Sequence, residues 1–414
     1  MKTLATPVLP QDRVAVIDTL RGFALFGILV VNMQFFSQPM ISVMLGFQPT
    51  DSLLDTGSTF LIKFLFEGKF YVLFSALFGY GFAVFLSKSL PEGQTILPVF
   101  RTRMAILLLI GIMHLTFLWA GDVLIYYAIF GFILILFRNV SDKVLVRWTF
   151  WLVMIPILLT ALFVILGSIA MTVPEVSKSM TASLEAASIE SRNLVANAIQ
   201  TYATGTFREM VAMRFLEYQT LAPGVLFFYP VVLAMFLMGF LAGRKRLLEN
   251  FTQHVPIFRK TLLIGAAIGL PFSLLYAFTF MHTNPHQLNI FLFLSTIGHS
   301  VGGIFLSLFY VSGIILLAGK NKLGWFSKFI APVGRMALSN YLLQSLVATC
   351  IFYGHGLGLI GMTTSTQGLA ISLVIFSLQI PFSHVWLRYF YYGPFEWIWR
   401  SLTYRKLQPF RRSL

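Results

Sequence analysis

Charge is scarce in this chain. Asp, Glu, Lys and Arg make up 11% of its 414 residues, where a soluble domain carries about 25%. Acid is scarcer than base: 15 Asp and Glu stand against 30 Lys and Arg, for a net charge of +15. A soluble fold of this size lacks the polar material for its surface. With 57% hydrophobic residues and a mean hydropathy of +0.81, lipid is the solvent that lets apolar side chains face outward. Cysteine is limited to Cys350, so a disulfide framework within the chain is excluded. Lying in an apolar segment, Cys350 reads as a small buried hydrophobe. Metal-ligand spacing is missing too: His282, His286 and His355 form no zinc motif, and no metal is expected.

The positive charge does not gather on one face or tail, as it does in a nucleic-acid binder. It falls in short clusters between long apolar runs. A spanning helix needs about 20 mostly apolar residues. Runs that meet this lie near 17–37, 69–87, 104–120, 123–138, 149–171, 225–243, 261–281, 290–318, 336–354 and 368–392. The 290–318 run exceeds the need, so tilt, a kink or projection from the bilayer is expected. The first run, Ile17 to Phe36, is too long for a signal core and carries Asp18 and Arg21, so it reads as a retained helix.

The basic clusters alternate with non-basic loops. Lys88, Arg101 and Arg103 follow the second run, and Arg138, Lys143 and Arg147 the fourth. Arg244, Lys245, Arg246, Arg259 and Lys260 follow the sixth, and Lys320, Lys322, Lys328 and Arg335 the eighth. Arg400, Arg405, Lys406, Arg411 and Arg412 end the chain. Loops at 121–122, 282–289 and 355–367 hold no Lys or Arg. Basic loops favour the cytoplasmic side. The expectation is therefore an all-α, polytopic transmembrane bundle of about ten spanning helices, in a bacterial inner membrane with both termini cytoplasmic. Its parts are a five-helix half (1–171) with the candidate site, an external amphipathic loop (172–224), and a second five-helix half (225–414) with a basic tail. The loop reads as a connector or as a lid over an outward-facing site. No internal repeat is visible.

A charge at the bilayer centre costs about 2.5–3.5 kcal/mol on insertion scales, so intramembrane polar residues point to function. His114 lies in the third run, roughly 9 Å below its outer end at about 1.5 Å per residue. Asp122 follows the break at Gly121. It either points back at the imidazole, fixing its tautomer and strengthening it as a base, or caps the fourth helix. Glu67 opens the second run and is a candidate second carboxylate for the same outer vestibule. Asn32, Trp119, Lys69 and Tyr71 are candidate substrate contacts, with Lys69 alternatively a snorkelling anchor and Asn32 alternatively interhelical glue. At the inner face, Arg21, Arg101 and Arg103 suit phosphate or pyrophosphate, and Arg335, Asn340 and Gln344 lie along the ninth run. His299 and His384 read as interhelical histidines. Ser75, Gly79, Gly81 and Ala83 form a packing seam.

These stretches resemble a known family. Arg13-x4-Asp18-x-Leu20-Arg21-Gly22-Phe23-Ala24-Leu25-Phe26-Gly27-Ile28-Leu29-x2-Asn32-Met33 resembles the opening of the YeiB-like bacterial membrane proteins. So do Gly68-Lys69-Phe70-Tyr71-x-Leu73-Phe74-Ser75, Gly111-x2-His114 with Trp119-x-Gly121-Asp122, Gly334-Arg335-Met336-Ala337-Leu338-Ser339-Asn340-Tyr341, and Gly393-Pro394-x-Glu396-Trp397-x-Trp399-Arg400-x-Leu402-Thr403-Tyr404. The match covers nearly the whole chain. By fold the family is similar to a wider superfamily of transmembrane acyltransferases, which includes a lysosomal heparan glucosaminide acetyltransferase. That resemblance implies an acyl group taken from a cytoplasmic CoA donor and delivered across the membrane, with an embedded histidine at the centre. Placing that histidine at His114 rests on its depth and neighbours.

Three functions stay open from sequence. In an acyltransferase, Arg21, Arg101 and Arg103 hold the phosphates of an acyl-CoA, and His114 with Asp122 acts on a glycan, lipid or small-molecule acceptor. In a transporter, His114, Asp122 and Glu67 are proton or solute sites, with the glycine-rich stretches 298–303 and 354–361 as places for broken helices. The third is a scaffold or sensor without chemistry. The expected partners are the bilayer and a small-molecule, glycan or lipid substrate, with no nucleic acid; the oligomeric state stays open.

Overall fold

The structure, a computed structural model, describes residues 14–46, 52–87, 95–283, 289–319 and 324–412. Arg13, Lys88, His286, Lys320 and Lys322 lie outside the described residues. The chain runs through α1 (Ala15–Ser37), α2 (Met40–Met44), α3 (Leu53–Leu61), α4 (Phe70–Leu86), α5 (Leu97–Phe117), α6 (Leu124–Leu134), α7 (Asp142–Ala170) and α8 (Pro174–Thr204). It continues through α9 (Phe207–Leu221), α10 (Val225–Arg244), α11 (Val255–His282), α12 (Ile290–Gly319), α13 (Gly324–Arg335), α14 (Ala337–Phe352), α15 (Ser365–Tyr389) and α16 (Pro394–Tyr404).

The protein is an all-helical membrane protein, and each expected apolar run falls on a helix. Among the described residues, 8 helical segments are long and apolar enough to cross a bilayer. Two more apolar helices, Leu124–Phe137 and Ala337–Phe352, are shorter. At ~1.5 Å per residue neither reaches the ~30 Å of a hydrocarbon core. These short helices carry the amide that Asp122 caps and Ser345. The long helices face outward with apolar side chains: α7 exposes Trp151, Leu158, Leu162, Phe163, Ile165 and Leu166. Cys350 is exposed on α14, not buried as its apolar setting suggested. An apolar segment in lipid gives no signal of which face looks inward.

The two halves interlock. α1 packs against α4, α13, α14 and α15, and α10 against α4 and α7. The α4–α10 seam uses small residues: Gly79 lies on the Phe236 backbone, Gly239 on that of Ala76 and Gly243 against Ala83, whereas Ser75 bonds Tyr127 of α6 and Gly81 faces Arg21. Gly265 and Gly269 of α11 face α12, while Gly298 and Gly302 of α12 face α11, the close approach small residues permit. The 298–303 stretch is therefore a packing seam inside an unbroken 30-residue helix, not a break.

The 172–224 segment forms α8 and α9, and α9 is anchored rather than lying loosely on a surface. Thr206 and Glu209 make a capping box at its start. Arg214 and Glu217, one turn apart, are buried. Arg214 Nη1 donates to the Thr116 carbonyl at 2.6 Å, in the last turn of α5. Glu217 accepts from Ile41 N in α2 at 3.1 Å and from the Tyr202 hydroxyl of α8 at 2.6 Å. Burial pushes the Glu217 carboxyl above its ordinary 4.5, outweighing the hydrogen bonds from Tyr202, Ile41 and Met40 and the nearby Arg214, which act the other way. A carboxyl raised in the folded state stabilises fully below its unfolded value, and loses that contribution as pH rises through the folded value. Wild-type melting temperature should therefore fall relative to Glu217→Gln as pH is taken from 4.5 toward 7. Parallel curves for the two proteins would sink this account of how α9 is held.

Candidate active site

Helix α5 presents one buried stripe. Phe100, Met104, Leu107, Gly111 and His114 recur at three- and four-residue steps and face the protein. The stripe ends in a break, where Trp119–Val123 leaves the helix before α6 begins. Gly111 is what lets this turn close in: a Cβ there would stand 2.7 Å from Ile125 N and 3.0 Å from Asp122 Oδ1. Asp122 is thereby brought against α5.

The Asp122 carboxylate does two things. Oδ1 accepts from Ile125 N at 2.7 Å, capping α6. Oδ2 lies 2.7 Å from His114 Nδ1. A carboxylate only accepts, so Nδ1 carries the proton, and Nε2 is left as an acceptor. Nε2 lies 2.8 Å from Ser345 Oγ, contributed by α14. The result is a carboxylate–imidazole–hydroxyl relay in which His114 is 2%, Asp122 4% and Ser345 0% exposed, so bulk water does not compete for it. The Trp119 and His114 rings meet nearly at right angles, with centroids 6.3 Å apart. Its Nε1 donates to the Phe35 carbonyl of α1 at 3.2 Å. Trp119 is thus a wall of the site, tied to α1.

Beside the relay a cavity of about 340 Å³ opens between α1, α4, α5, α6, α14 and α16. Its walls divide by chemistry. Arg21, Arg103, Arg335 and Arg400 stand at the end where α1, α5 and α14 begin and α16 lies, while Leu25, Phe78, Met104, Leu107, Val123 and Tyr127 line the depth. Asp18, Glu249 and Glu396 also line it. Asp18 pairs with Arg21 at 3.2 Å, and Glu396 accepts from Leu338 N and Ser339 N at 2.7 and 3.0 Å, capping α14. Burial raises the Glu396 carboxyl above its ordinary value, against the hydrogen bonds from Ser339 and Leu338. Arg103 stacks on Trp399 with its guanidinium carbon 3.9 Å from the ring centroid. At the deep end Tyr341 lines the cavity, and its ring centroid is 5.1 Å from that of His114.

A second polar cluster sits at the other end of α1. The helix begun by α3 turns through a π-helical stretch, Ile62–Phe66, then breaks at an extended Glu67 and at Gly68, whose φ of +88° suits glycine. Glu67 accepts from Lys63 Nζ at 2.6 Å, from Gln34 Nε2 at 2.9 Å and from the Tyr276 hydroxyl at 2.6 Å. Lys69 is buried, with Nζ donating to the Lys63 carbonyl at 2.8 Å. It does not snorkel, because the break turns it inward.

The family described as "Protein of unknown function (DUF418)" matches residues 242–406. Over 98% of both chains, the sequence is 34% identical to "Uncharacterized protein YxaH" of Bacillus subtilis (strain 168). It is 30% identical to "Uncharacterized protein YeiB" of Escherichia coli (strain K12), covering 96% of this chain and 98% of that one. The chain belongs to the DUF418, YeiB-like family. No solved structure matches it. The family-matched region supplies Ser345, Arg335, Glu396 and Arg400, and the N-terminal half supplies His114, Asp122, Arg21 and Arg103. The relay of this DUF418 protein is therefore assembled across both halves.

Of the residues singled out from sequence, His114 and Asp122 meet as expected, and Asp122 also makes the cap that was its alternative. Arg21 and Arg103 share the cavity, but Arg101 is exposed and stands outside its lining. Two residues further along the helix puts Arg103 on the opposite face. Glu67 and Lys69 belong to the Lys63 cluster, not to a vestibule with His114. The Tyr71 ring lies 6.0 Å from that of His299, toward the same cluster. Asn32 is half-buried and outside the cavity lining. Asn340 and Gln344 bond Ser383 and Gln379 of α15, as interhelical glue. Ser345 was missed, and nothing in its local sequence marks it, because only the packing of α14 on α5 brings it to His114. Lys63 left a signal, its i,i+4 spacing to Glu67. If Gly111 is the clearance for Asp122, Gly111→Ala should cost about 1–3 kcal/mol by overpacking. Equal denaturation midpoints for wild type and variant would show that the turn does not need the space.

Proposed function

We propose that this protein is a membrane acyltransferase that takes an acyl group from a CoA thioester and passes it to a hydroxyl or amine of an envelope glycan, lipid or small molecule. One observation carries the reading: a cavity with four guanidinium groups at one end and apolar walls beyond them ends at Tyr341, against the imidazole of a buried Asp–His–Ser relay. Guanidinium forks suit the phosphates of CoA. The apolar walls suit the thioester arm, and the relay supplies a general base whose tautomer is fixed by a carboxylate. The basic end then faces the cytoplasm, as the basic loops favour. Both termini lie on that side, in a bacterial inner membrane.

Thermal stability of the purified protein tests this with acetyl-, butyryl- and palmitoyl-CoA. A ligand at 100 times its Kd should add about 2.7 kcal/mol. Arg103→Gln and Arg400→Gln should each weaken binding about tenfold or more, the loss of a charge-assisted hydrogen bond. Arg101→Gln, outside the cavity, should leave it unchanged. No stabilisation by any CoA species in folded protein would remove the donor site.

The broken helix at Glu67 and Gly68 favours a second reading, transport, because interrupted helices with buried charges form ion and solute sites in carriers. Glu67→Gln separates the two. Under the transferase reading it leaves acyl-CoA stabilisation intact. Under the transport reading it abolishes proton-coupled flux in reconstituted vesicles, which the wild-type protein then shows.

A further inference from the structure

We infer that Ser345 is the nucleophile of a two-step transfer, carrying the acyl group as an ester between donor and acceptor. This rests on the acyltransferase reading and deepens it. A base that acts only on an incoming acceptor needs its acceptor nitrogen open to that acceptor. Here His114 Nε2 is already engaged, at 2.8 Å, by a hydroxyl of the protein itself. The imidazole's other nitrogen is committed to Asp122 at 2.7 Å. The arrangement is the one that activates a serine: a hydroxyl on a base, and the base oriented by a carboxylate. Ser345 has little else to do structurally. The one competing acceptor for its hydroxyl hydrogen, the Tyr341 carbonyl one turn back, is distant at 3.4 Å.

Placement relative to the cavity supports the role. Tyr341 and Ser345 are one turn apart on α14, and Tyr341 both lines the cavity and packs on the imidazole. The Tyr341 ring is thus shared between the donor cavity and the relay. Its hydroxyl donates to the Gly121 carbonyl at 3.4 Å and is hydrogen-bonded by the Val123 backbone, so a rotation of this ring that opens Ser345 to the cavity breaks both contacts. The released hydroxyl is then a donor near the attacked carbonyl.

The chemistry balances. The Ser345 Oγ–H proton passes to His114 Nε2 as Oγ attacks the thioester carbonyl. The C–S bond breaks, and the leaving thiolate takes the proton from Nε2 and departs as the free thiol. The acceptor's O–H or N–H proton then passes to Nε2 as the acceptor attacks the Ser345 ester. The ester C–O bond breaks, and Oγ recovers its proton. Asp122 stays ionised throughout and holds the imidazolium formed in each step.

The first step needs no acceptor, which makes it testable while the acceptor is unidentified. Full-length purified protein is mixed with each acyl-CoA, quenched in acid between milliseconds and minutes, and read for released thiol and for acyl mass on the Ser345 peptide. The expected result is a burst of about one thiol per protein with the acyl mass on Ser345. The burst is lost in Ser345→Ala. In Ser345→Cys the adduct returns as a thioester cleaved by neutral hydroxylamine. Asp122→Asn, which releases the tautomer, should slow the burst on the order of 10⁴-fold. Stabilisation by acyl-CoA with no acyl group on Ser345, or with the adduct on another residue, overturns the inference and leaves the transferase reading standing. Absence of both stabilisation and thiol release overturns the two together. A thiol burst that survives in folded Ser345→Ala assigns Ser345 to packing alone.

Discussion

A carboxylate removed from water must find donors within the protein, and in a membrane the nearest surplus of donors is the first turn of a helix. Four carboxylates use that supply, Asp55, Asp122 and Glu217 buried and Glu396 half-buried. Asp55 accepts from Thr366 N at the start of α15, and Asp122 from Ile125 N at the start of α6. Glu217 accepts from Ile41 N at the start of α2, and Glu396 from Leu338 N and Ser339 N at the start of α14. The first turn offers unbonded N–H groups and the positive end of the helix dipole together. In the cases of Asp55, Glu217 and Glu396 the acid lies far away in sequence, so one interaction both solvates a charge and joins two distant segments. Glu396 to α14 is the example with most consequence. It fixes the start of the helix that carries Tyr341 and Ser345, and thereby their height relative to His114. Asp122 differs because its second oxygen remains available, and that oxygen orients the imidazole.

Glu67 is solvated another way, by the side chains of Lys63, Gln34 and Tyr276. Here the helix break brings the partners in, and the π-helical stretch before it turns Lys63 toward the carboxylate. The two polar centres meet on α1. Trp119 of the relay bonds the Phe35 carbonyl, while the neighbouring Gln34 bonds Glu67. They share a helix without sharing a cavity, so the common vestibule expected for Glu67 and His114 is not formed.

What could be read from sequence divides along a physical line. Hydropathy and basic residues mark where helices lie, because bilayer thickness fixes length and the cost of charge fixes composition. His114 and Asp122 were readable together because they are eight residues apart across one glycine-marked turn. Ser345 was not, because its partner is 231 residues away and a lone serine in an apolar helix is ordinary. Arg101 and Arg103 were equivalent as letters and are separated by helix rotation. Lys63 lies before the apolar run of the second expected span, where hydropathy gives its spacing to Glu67 no intramembrane meaning.

The relay's charge arithmetic says what kind of group it can be. With His114 neutral, the site carries the single negative charge of Asp122, held by the Ile125 amide and the α6 terminus. When His114 takes a proton, the site becomes an internally neutral ion pair at 2.7 Å. Proton uptake therefore creates no uncompensated charge in a place where one would be costly. A histidine buried only for packing gains nothing from this property, since a satisfied neutral network of Asn or Gln would fill the same space, as Gln344 and Gln379 do between α14 and α15. Ser345 extends the argument, because the proton to be taken up lies within the same hydrogen-bond chain. Base, orienting carboxylate and proton source are in place before any ligand arrives. Under the proposed transfer, what the ligand supplies is an electrophilic carbon, carried on a molecule whose anionic end answers the arginines of the cavity.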